Sequence, residues 1–271
     1  MALLDNILGK KEVLHLGCRT CSGGDEERKR AVRILDELDI PYQLMDVSCG
    51  CEHYDLDHAA AEKAKDATIK ALRGRRAMTG CARCLYLLRS YDIRTRHISQ
   101  AIAKRLRHLE FNSEKHLGQV YYHDPCYLVR YAKISESPRE VLRRLGYIVL
   151  DLDNNRTFTD CCGGYTSLLP LRRKATEGVL TSLPDGAIIT SGCTNCTQNM
   201  KEYLAAIAEH ASQGSASEGG TAQGSAVQGT GGYPDTQENT KPDDLDSDLN
   251  NSNVKSHTAK SFLELVDSAL F

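Results

Sequence analysis

Ten of the eleven cysteines in this chain of 271 residues form two copies of one pattern. Each copy contains a single cysteine, a close pair and a C-x2-C motif, with 29 to 34 residues between these parts. The first copy comprises Cys18, Cys49, Cys51, Cys81 and Cys84, and the second comprises Cys126, Cys161, Cys162, Cys193 and Cys196. Only Cys21 lies outside the repeat. Thiols drawn from three distant points and used twice indicate metal or cluster ligation.

The two copies are aligned by their spacing. The offset that separates Cys49 from Cys161 also separates the corresponding cysteines of the two C-x2-C motifs, and Cys126 follows Cys18 at nearly the same offset. Buried free thiols that pack as small hydrophobic groups are the alternative interpretation. That alternative is disfavoured because such thiols have no reason to repeat in register.

The composition narrows the class of protein. Hydrophobic residues make up 41% of the chain, and the formal net charge of −2 gives no basic surface for nucleic acid. No apolar run approaches the roughly 20 residues that span a bilayer, and the first eleven residues lack the apolar core of a secretory signal. We therefore expect a cytoplasmic protein, in which clustered cysteines serve metal or redox chemistry more often than disulfides.

Alternating strands and helices must position these cysteines. Short apolar or alternating runs predict strands at residues 13–17, 42–47, 120–122, 147–152 and 187–190. Longer amphipathic runs predict helices at residues 26–38, 56–72, 138–145 and 168–180. This order predicts an α/β fold of two tandem, pseudo-repeated, Rossmann-like domains with mostly parallel sheets. The cysteines then follow the carboxyl ends of strands, where open α/β sheets place their sites.

We expect the first domain to span residues 12–110 and the second to span residues 118–271. Each domain is predicted to close with a helix that follows a histidine, His97 in the first and His257 in the second. Both histidines are interpreted as structural. Residues 211–255 are rich in Gly, Ser, Gln, Asn and Asp, which predicts a disordered insertion within the second domain. The alternative is a disordered tail that carries an isolated terminal helix.

Four kinds of chemistry fit cysteines in general. Zinc ribbons pair two C-x2-C motifs, whereas each copy here has one such motif. A thioredoxin-like dithiol explains only two of the five cysteines, and a disulfide framework conflicts with the expected compartment. Iron–sulfur ligation remains, because adjacent thiolates can bind different iron atoms. Five cysteines exceed the four of a cubane, which suggests an unusual cluster or a spare thiol.

The second copy resembles a known family. It carries His123-Asp124-Pro125-Cys126, Cys161-Cys162-Gly163-Gly164 and Gly192-Cys193-Thr194-Asn195-Cys196, with Pro138-Arg139-Glu140-Val141-Leu142 between them. These motifs resemble the cysteine-rich CCG domains in the B and D subunits of heterodisulfide reductase. They are also similar to the iron–sulfur subunits of glycolate, lactate and glycerol-3-phosphate oxidation systems.

The resemblance implies an oxidoreductase subunit that reduces a small disulfide, such as the CoM-S-S-CoB heterodisulfide, by one-electron steps at noncubane [4Fe–4S] clusters. It implies that Cys126, Cys161, Cys162, Cys193 and Cys196 ligate one cluster and act at the catalytic centre. It implies a second group held by Cys18, Cys49, Cys51, Cys81 and Cys84. Gly163 and Gly164 are expected to bring the backbone close to the cluster and to donate N–H groups to sulfur.

The first copy departs from this pattern, because Gly50 lies between its paired cysteines. That site is expected to hold a second cluster or a zinc ion, with Cys21 as a possible substitute ligand. The chain lacks the C-x2-C-x2-C-x3-C-P run of ferredoxins and a G-x-G-x-x-G motif. We therefore expect a ferredoxin-type iron–sulfur partner subunit and a flavin-containing electron donor. The alternatives are a non-catalytic electron-transfer subunit of a 2-hydroxyacid dehydrogenase and a zinc-stabilised interaction module.

Overall fold

The computed structural model describes residues 11–17, 25–45, 48–51, 57–164, 166, 168–214 and 256–271. Cys18 and Cys21 lie outside these residues, as does most of the predicted insertion. No helix in the described parts of the chain is long and apolar enough to cross a membrane.

The first half is a four-stranded parallel sheet with helices between its strands. Its elements are β1 (Glu12–His15), α1 (Asp25–Glu37), β2 (Tyr42–Leu44), α2 (His58–Leu72), β3 (Arg76–Thr79), α3 (Ala82–Ser90), β4 (Arg94–His97) and α4 (Ile98–His108). The strand order is β2-β1-β3-β4. Every neighbouring pair is parallel, with Val13 paired to both Gln43 and Ala77.

The second half repeats this topology. Its elements are β5 (Gln119–His123), a π-helical turn (Tyr127–Tyr131), α5 (Glu136–Arg144), β6 (Ile148–Asp151), a 3₁₀ turn (Arg156–Phe158), α6 (Leu169–Leu180), β7 (Ile188–Ser191), α7 (Thr194–Gly214), β8 (Thr258–Ser261) and α8 (Phe262–Leu270). The strand order is β6-β5-β7-β8, and all pairs are parallel. The predicted α/β class with parallel sheets is confirmed, whereas the domain limits at 12–110 and 118–271 remain predictions.

The halves share their cores. One apolar cluster joins Leu14 and Met78 of the first sheet to Val120 and Tyr122 of the second, and another contains residues of both halves. Helix α1 packs against α8, and α4 packs against α5, so the first helix of each half contacts the closing helix of the other. The two cysteine copies are thereby held in one packed body.

The C-terminal part differs from the sequence prediction at its start. Helix α7 continues through Gly214, so the first residues of the predicted insertion, which was placed at about 211–255, are helical. Residues 215–255 lie outside the described residues. The strand β8 and helix α8 complete the second sheet, so the described terminal segment is docked onto this half rather than isolated.

A helix follows each of the two histidines as predicted, but His97 and His257 do not occupy equivalent positions. His97 pairs with Thr79 at the end of β4, whereas Ser261 pairs with Ser191 at the end of β8. His97 and Ser261 each cap the following helix through a capping box. His257 precedes β8, because the two edge strands were not predicted and the closing helices were aligned without them.

Candidate metal centre

Side chains from both cysteine copies lie at the carboxyl ends of the parallel strands. Cys81 follows β3 and occupies the N-cap of α3. Cys193 lies between β7 and α7. His15 and His123 are the last residues of β1 and β5. Because parallel strands end at one edge of a sheet, Cys81 and His15 are brought toward a common region in the first half. Cys193 and His123 are brought together in the same way in the second half.

The five cysteines of the second copy line a single pocket. The Sγ atoms of Cys126 and Cys161 lie 3.9 Å apart, and those of Cys162 and Cys196 lie 3.0 Å apart. Cys162, Cys193 and Cys196 are buried, whereas Cys126 and Cys161 are partly exposed. Ala82 and Arg83 from the first half complete the wall with Pro125, Tyr127, Gly164 and Asn195. The ligand set predicted for this half is therefore assembled at one place.

The described cysteines of the first copy are all buried. The Sγ atoms of Cys49 and Cys84 lie 3.1 Å apart, and Cys51 and Cys81 are buried as well. Every cysteine in the described part of the chain is a free thiol. Disulfide bonds, whose S–S length is about 2.05 Å, therefore do not explain these close approaches.

The structure shifts the alignment of the two cysteine pairs by one residue. Gly50 and Gly163 both have positive φ, of 80° and 75°, and both pack against the backbone of the helix that follows. The N–H of Gly50 donates to Ser48 Oγ at 3.1 Å, as the N–H of Gly163 donates to Cys161 Sγ at 3.4 Å. Ser48 therefore occupies the position of Cys161, and Cys49 occupies that of Cys162.

This alignment corrects the pairing of Cys49 with Cys161 and the view that Gly50 splits an adjacent pair. Gly50 corresponds to Gly163, because both turns need a left-handed residue to pass the following helix. Cys51 then takes the place of Gly164. Compared with the second copy, the first copy therefore has Ser48 in place of a cysteine and Cys51 in place of a glycine. Spacing alone missed this change because the number of cysteines is the same.

Thiol–thiol contacts shift the acidity of the second-copy cysteines. Donation from Cys126 and then Cys162, with the Gly163 N–H, lowers the pKa of Cys161 to about 2. The Cys161 contact raises the pKa of Cys162 to about 12. A thiolate is the form of cysteine that ligates metal and attacks electrophiles. Cys161, which faces the pocket, is therefore the thiolate of this pair.

Two cysteines also meet across the halves. The neighbouring Cys193 raises the pKa of Cys81, while contacts from Cys196 and then Cys81 lower the pKa of Cys193. Cys81 and Cys193 occupy equivalent positions in the two C-x2-C motifs. The two candidate sites are therefore adjacent rather than at opposite ends of the molecule.

Each site also contains a buried histidine. A ring nitrogen of His15 lies within 4.8 Å of the Cys49 and Cys84 sulfurs, and one of His123 lies within the same distance of the Cys162 and Cys196 sulfurs. Burial lowers the pKa of His123 to about 4, so its imidazole is neutral near pH 7. Neither histidine was among the predicted site residues. The signal was present, because each histidine begins an H-x-x-C segment that ends at the first cysteine of its own copy.

A buried ion pair fixes the loop that carries Cys126. Arg139 donates from Nη1 and Nη2 to both oxygens of Asp124, at 2.8 and 2.5 Å. It also donates from Nε to Asp151 at 2.8 Å. The Arg156 N–H donates to the same Asp124 carboxylate at 2.7 Å. This network gives a structural role to Asp124, which precedes Cys126 by two residues, and to Arg139 of the motif within helix α5.

The glycines after Cys162 pack closely against their neighbours, and their expected approach to a cluster remains a prediction. A Cβ on Gly163 would lie 2.9 Å from the Arg172 carbonyl oxygen, and one on Gly164 would lie 3.4 Å from Cys162 Sγ. A Cβ at Gly163 would therefore require helix α6 to shift, whereas one at Gly164 would lie 3.0 Å from Asn199 Nδ2 and in ordinary van der Waals contact with Cys162.

The Cys126–Cys161 pair and the two buried His–Cys–Cys groups offer the donors of a thiolate-bound metal group. Two thiolates that bind one tetrahedral ion at about 2.3 Å lie about 3.8 Å apart, and the Cys126–Cys161 separation is 3.9 Å. The two sites also contain the ring nitrogens of His15 and His123, which have no hydrogen-bond partner among the described residues. A metal ligand bond would compensate for the cost of burying these polar atoms in an apolar environment. Cysteine and histidine donors suit iron and zinc rather than magnesium or calcium.

Known proteins are similar to this chain in sequence. Residues 120–201 match the model of the cysteine-rich domain family, CCG. The chain is 24% identical over 209 residues to the D subunit of dihydromethanophenazine:CoB–CoM heterodisulfide reductase from Methanosarcina barkeri, covering 63% of this chain and 48% of that protein. It is 26% identical over 110 residues to "Probable iron-sulfur-binding oxidoreductase FadF" from Bacillus subtilis, covering 37% and 15% of the two chains.

A third relative is the EtfAB:quinone oxidoreductase of Syntrophomonas wolfei, 32% identical over 68 residues, or 25% of this chain and 10% of that protein. The chain spans about half the length of the heterodisulfide reductase subunit it matches. The family match includes all five cysteines of the second copy. The resemblance drawn from the motifs is confirmed: residues 120–201 match the cysteine-rich CCG domain, and the chain is similar to the D subunit of heterodisulfide reductase and to iron–sulfur oxidoreductases.

Proposed function

We propose that this chain is an iron–sulfur electron-transfer subunit of an oxidoreductase complex, and that its second half reduces a disulfide. The convergence of all five second-copy cysteines on one pocket carries the proposal. The similarity to a heterodisulfide reductase subunit supports the disulfide as substrate. Under this proposal Cys126, Cys161, Cys162, Cys193 and Cys196 hold a noncubane [4Fe–4S] cluster.

The bound cluster would supply electrons one at a time. Reduction of a disulfide consumes two electrons and two protons and releases two thiols, so an external donor is required. Neither a ferredoxin motif nor a dinucleotide-binding glycine motif occurs in this sequence. We therefore propose that a ferredoxin-type subunit and a flavin-containing donor supply the electrons. We propose that the complex is cytoplasmic.

The pocket provides access and charge for the substrate. Cys126 and Cys161 are its partly exposed sulfurs. Arg83 lines the same pocket from the first half and forms no ion pair with any residue in the described parts of the chain. Tyr127 forms another wall and stacks with Tyr86 and Tyr131 at the surface, with ring centroids 5.0 to 5.3 Å apart. We propose that Arg83 binds an anionic group of the disulfide next to the cysteines.

Anaerobic purification tests the metal centre. We expect a brown protein that contains iron and acid-labile sulfide and shows a thiol-dependent paramagnetic signal. Cys161→Ala and Cys193→Ala should abolish that signal, while Cys21→Ala serves as the matched control and should retain it. A colourless protein that contains only zinc would contradict the proposal, as would loss of the second-half cluster in the Cys21 variant.

A second candidate function is electron transfer without disulfide chemistry, in a 2-hydroxyacid or related dehydrogenase. The similarity to FadF and to an EtfAB:quinone oxidoreductase favours it. The two functions differ in one assay. With the cluster loaded and an artificial low-potential donor supplied, a disulfide reductase releases thiols, whereas an electron carrier is re-oxidised by its partner and releases none.

A further inference from the structure

Two histidines are buried beside the cysteines without hydrogen-bond partners. The side chains of His15 and His123 are 0% and 1% exposed. Neither ring nitrogen of either residue has a hydrogen-bond partner among the residues that the structure describes. In proteins, buried polar groups are almost always paired, and leaving one unpaired destabilises the fold.

The same environment occurs twice. His15 ends β1 beside Cys49 and Cys84, and His123 ends β5 beside Cys162 and Cys196. The glycine turns align Cys49 with Cys162, and the C-x2-C motifs align Cys84 with Cys196, so the two His–Cys–Cys triads are equivalent residue by residue. An accident of packing would not place an unpaired imidazole at the same point of both copies.

A third buried histidine behaves differently. The Nδ1 atom of His97 lies 2.7 Å from Ser99 Oγ and caps helix α4. His97 therefore differs from His15 and His123 at Nδ1, while its Nε2, like both ring nitrogens of those residues, has no hydrogen-bond partner among the described residues. His15 and His123 instead have cysteine sulfurs within 4.8 Å, and a neutral imidazole is a common metal ligand.

We infer that His15 and His123 each bind the metal group of their own half through a ring nitrogen. The His15–Cys49–Cys84 and His123–Cys162–Cys196 triads are then the common metal-binding core of the two copies. This inference rests on the proposed metal-binding function, but it does not depend on whether the metal is iron or zinc. The remaining cysteines add ligands that differ between the halves.

Isotope labelling tests the inference without a substitution. The full chain is produced with ¹⁵N-histidine, purified without oxygen and analysed for its metals. If iron is bound, pulsed electron paramagnetic resonance of the reduced cluster should show hyperfine coupling to a directly bound histidine nitrogen. If only zinc is bound, the proposed iron–sulfur function fails, and X-ray absorption at the zinc edge should still show imidazole scattering. Spectra without nitrogen coupling, or a zinc shell made of sulfur alone, would overturn the inference.

Two variants assign the nitrogen. His123→Leu should eliminate the coupling from the second half and leave the urea midpoint of the metal-free chain unchanged or higher, because it removes an unpaired polar group. His97→Ser keeps a capping residue of the kind found at Ser261, and it should retain the coupling in full. A His123→Leu chain that loses metal-free stability and keeps its nitrogen coupling would show that His123 is structural.

Discussion

The buried Arg139–Asp124 pair offers a quantitative test of how the second cysteine site is positioned. Arg139 is 0% exposed and binds both carboxylate oxygens of Asp124. Its contact with Asp151 is less important, since that carboxylate is about a third exposed and is stabilised by solvent. The perturbation that we consider is Arg139→Met, which keeps much of the volume and removes the charge.

The expected loss follows from what the substitution leaves behind. In Arg139→Met, the fully buried Asp124 keeps the backbone N–H of Arg156 as its one remaining donor among the described residues. Removing one partner of a buried ion pair typically costs about 3–5 kcal/mol. A domain has about 5–15 kcal/mol of stability in total. We therefore expect Arg139→Met to lower the urea midpoint severely and to release the Cys126 loop.

The assay is urea unfolding of the metal-free chain under reducing, anaerobic conditions. The chain has twelve tyrosines and no tryptophan, so tyrosine fluorescence and far-ultraviolet circular dichroism report unfolding. Arg143→Met is the matched control on the same helix. Arg143 is 50% exposed and lies 3.6 Å from Glu136, so its loss should cost less than about 1 kcal/mol.

The first half supplies a second comparison. At the offset that relates Cys18 to Cys126, Leu16 and Ala31 stand where Asp124 and Arg139 stand in the second half, and both are buried. An apolar pair often replaces a buried ion pair without loss. The double variant Asp124→Leu/Arg139→Ala should therefore recover much of the stability that Arg139→Met loses. If Arg139→Met costs no more than Arg143→Met, the pair does not hold this loop.

Three further outcomes follow from individual residues. Gly163→Ala puts a methyl group 2.9 Å from a backbone oxygen of α6 at a residue with φ +75°. It should lower the free energy of unfolding in urea by about 1–3 kcal/mol. Gly178→Ala is the control, because its methyl group meets nothing within 4 Å and should not destabilise the chain. Burial lowers the pKa of His97 and His123 to about 4, below an unfolded value of about 6.5. The unfolded chain then binds more protons between these two pKa values, so the metal-free chain should lose roughly 3 kcal/mol of stability per histidine as pH falls from about 6.5 to 4. His97→Ser should halve the combined loss of the two histidines. A pH profile of stability that His97→Ser leaves unchanged would refute this reasoning. Arg83→Gln should raise KM for an anionic disulfide about tenfold, because it removes a charged hydrogen bond, and it should leave KM for a neutral disulfide unchanged. Equal effects on both substrates would contradict the role assigned to Arg83.

The sequence identified the elements that have apolar patterns. Runs such as Val13–Leu16 and Ile188–Thr190 predicted strands, and the parallel order followed from the helices between them. The edge strands β4 and β8 were missed because Arg94-Thr95-Arg96-His97 and Thr258-Ala259-Lys260-Ser261 have no apolar run. They are strands because the neighbouring strands β3 and β7 supply their hydrogen-bond partners, which local propensity does not reveal.

The cysteines of the candidate site were predicted from the sequence, whereas its histidines were missed despite their H-x-x-C spacing, and so was its serine. A histidine that ends an apolar run is usually interpreted as core, and only the unpaired ring in the folded chain distinguishes His15 and His123. Ser48 is inconspicuous in sequence, because an aligned serine is detected only after Gly50 is matched with Gly163 by backbone conformation. Spacing counts residues, whereas a turn is fixed by which residue adopts positive φ.

The exchange of Cys161 for Ser48 makes the two halves chemically unequal. Both retain a buried triad of one histidine and two cysteines. Only the second half pairs it with the low-pKa thiol of Cys161, which is partly exposed in a pocket that Arg83 also lines. At the equivalent point of the first half, a serine hydroxyl has neither the acidity nor the metal affinity of a thiol, and the described cysteines around it are buried. Under the proposed function, a substrate would reach sulfur from the second half, and the neighbouring Cys81 and Cys193 would link the two sites for electron transfer.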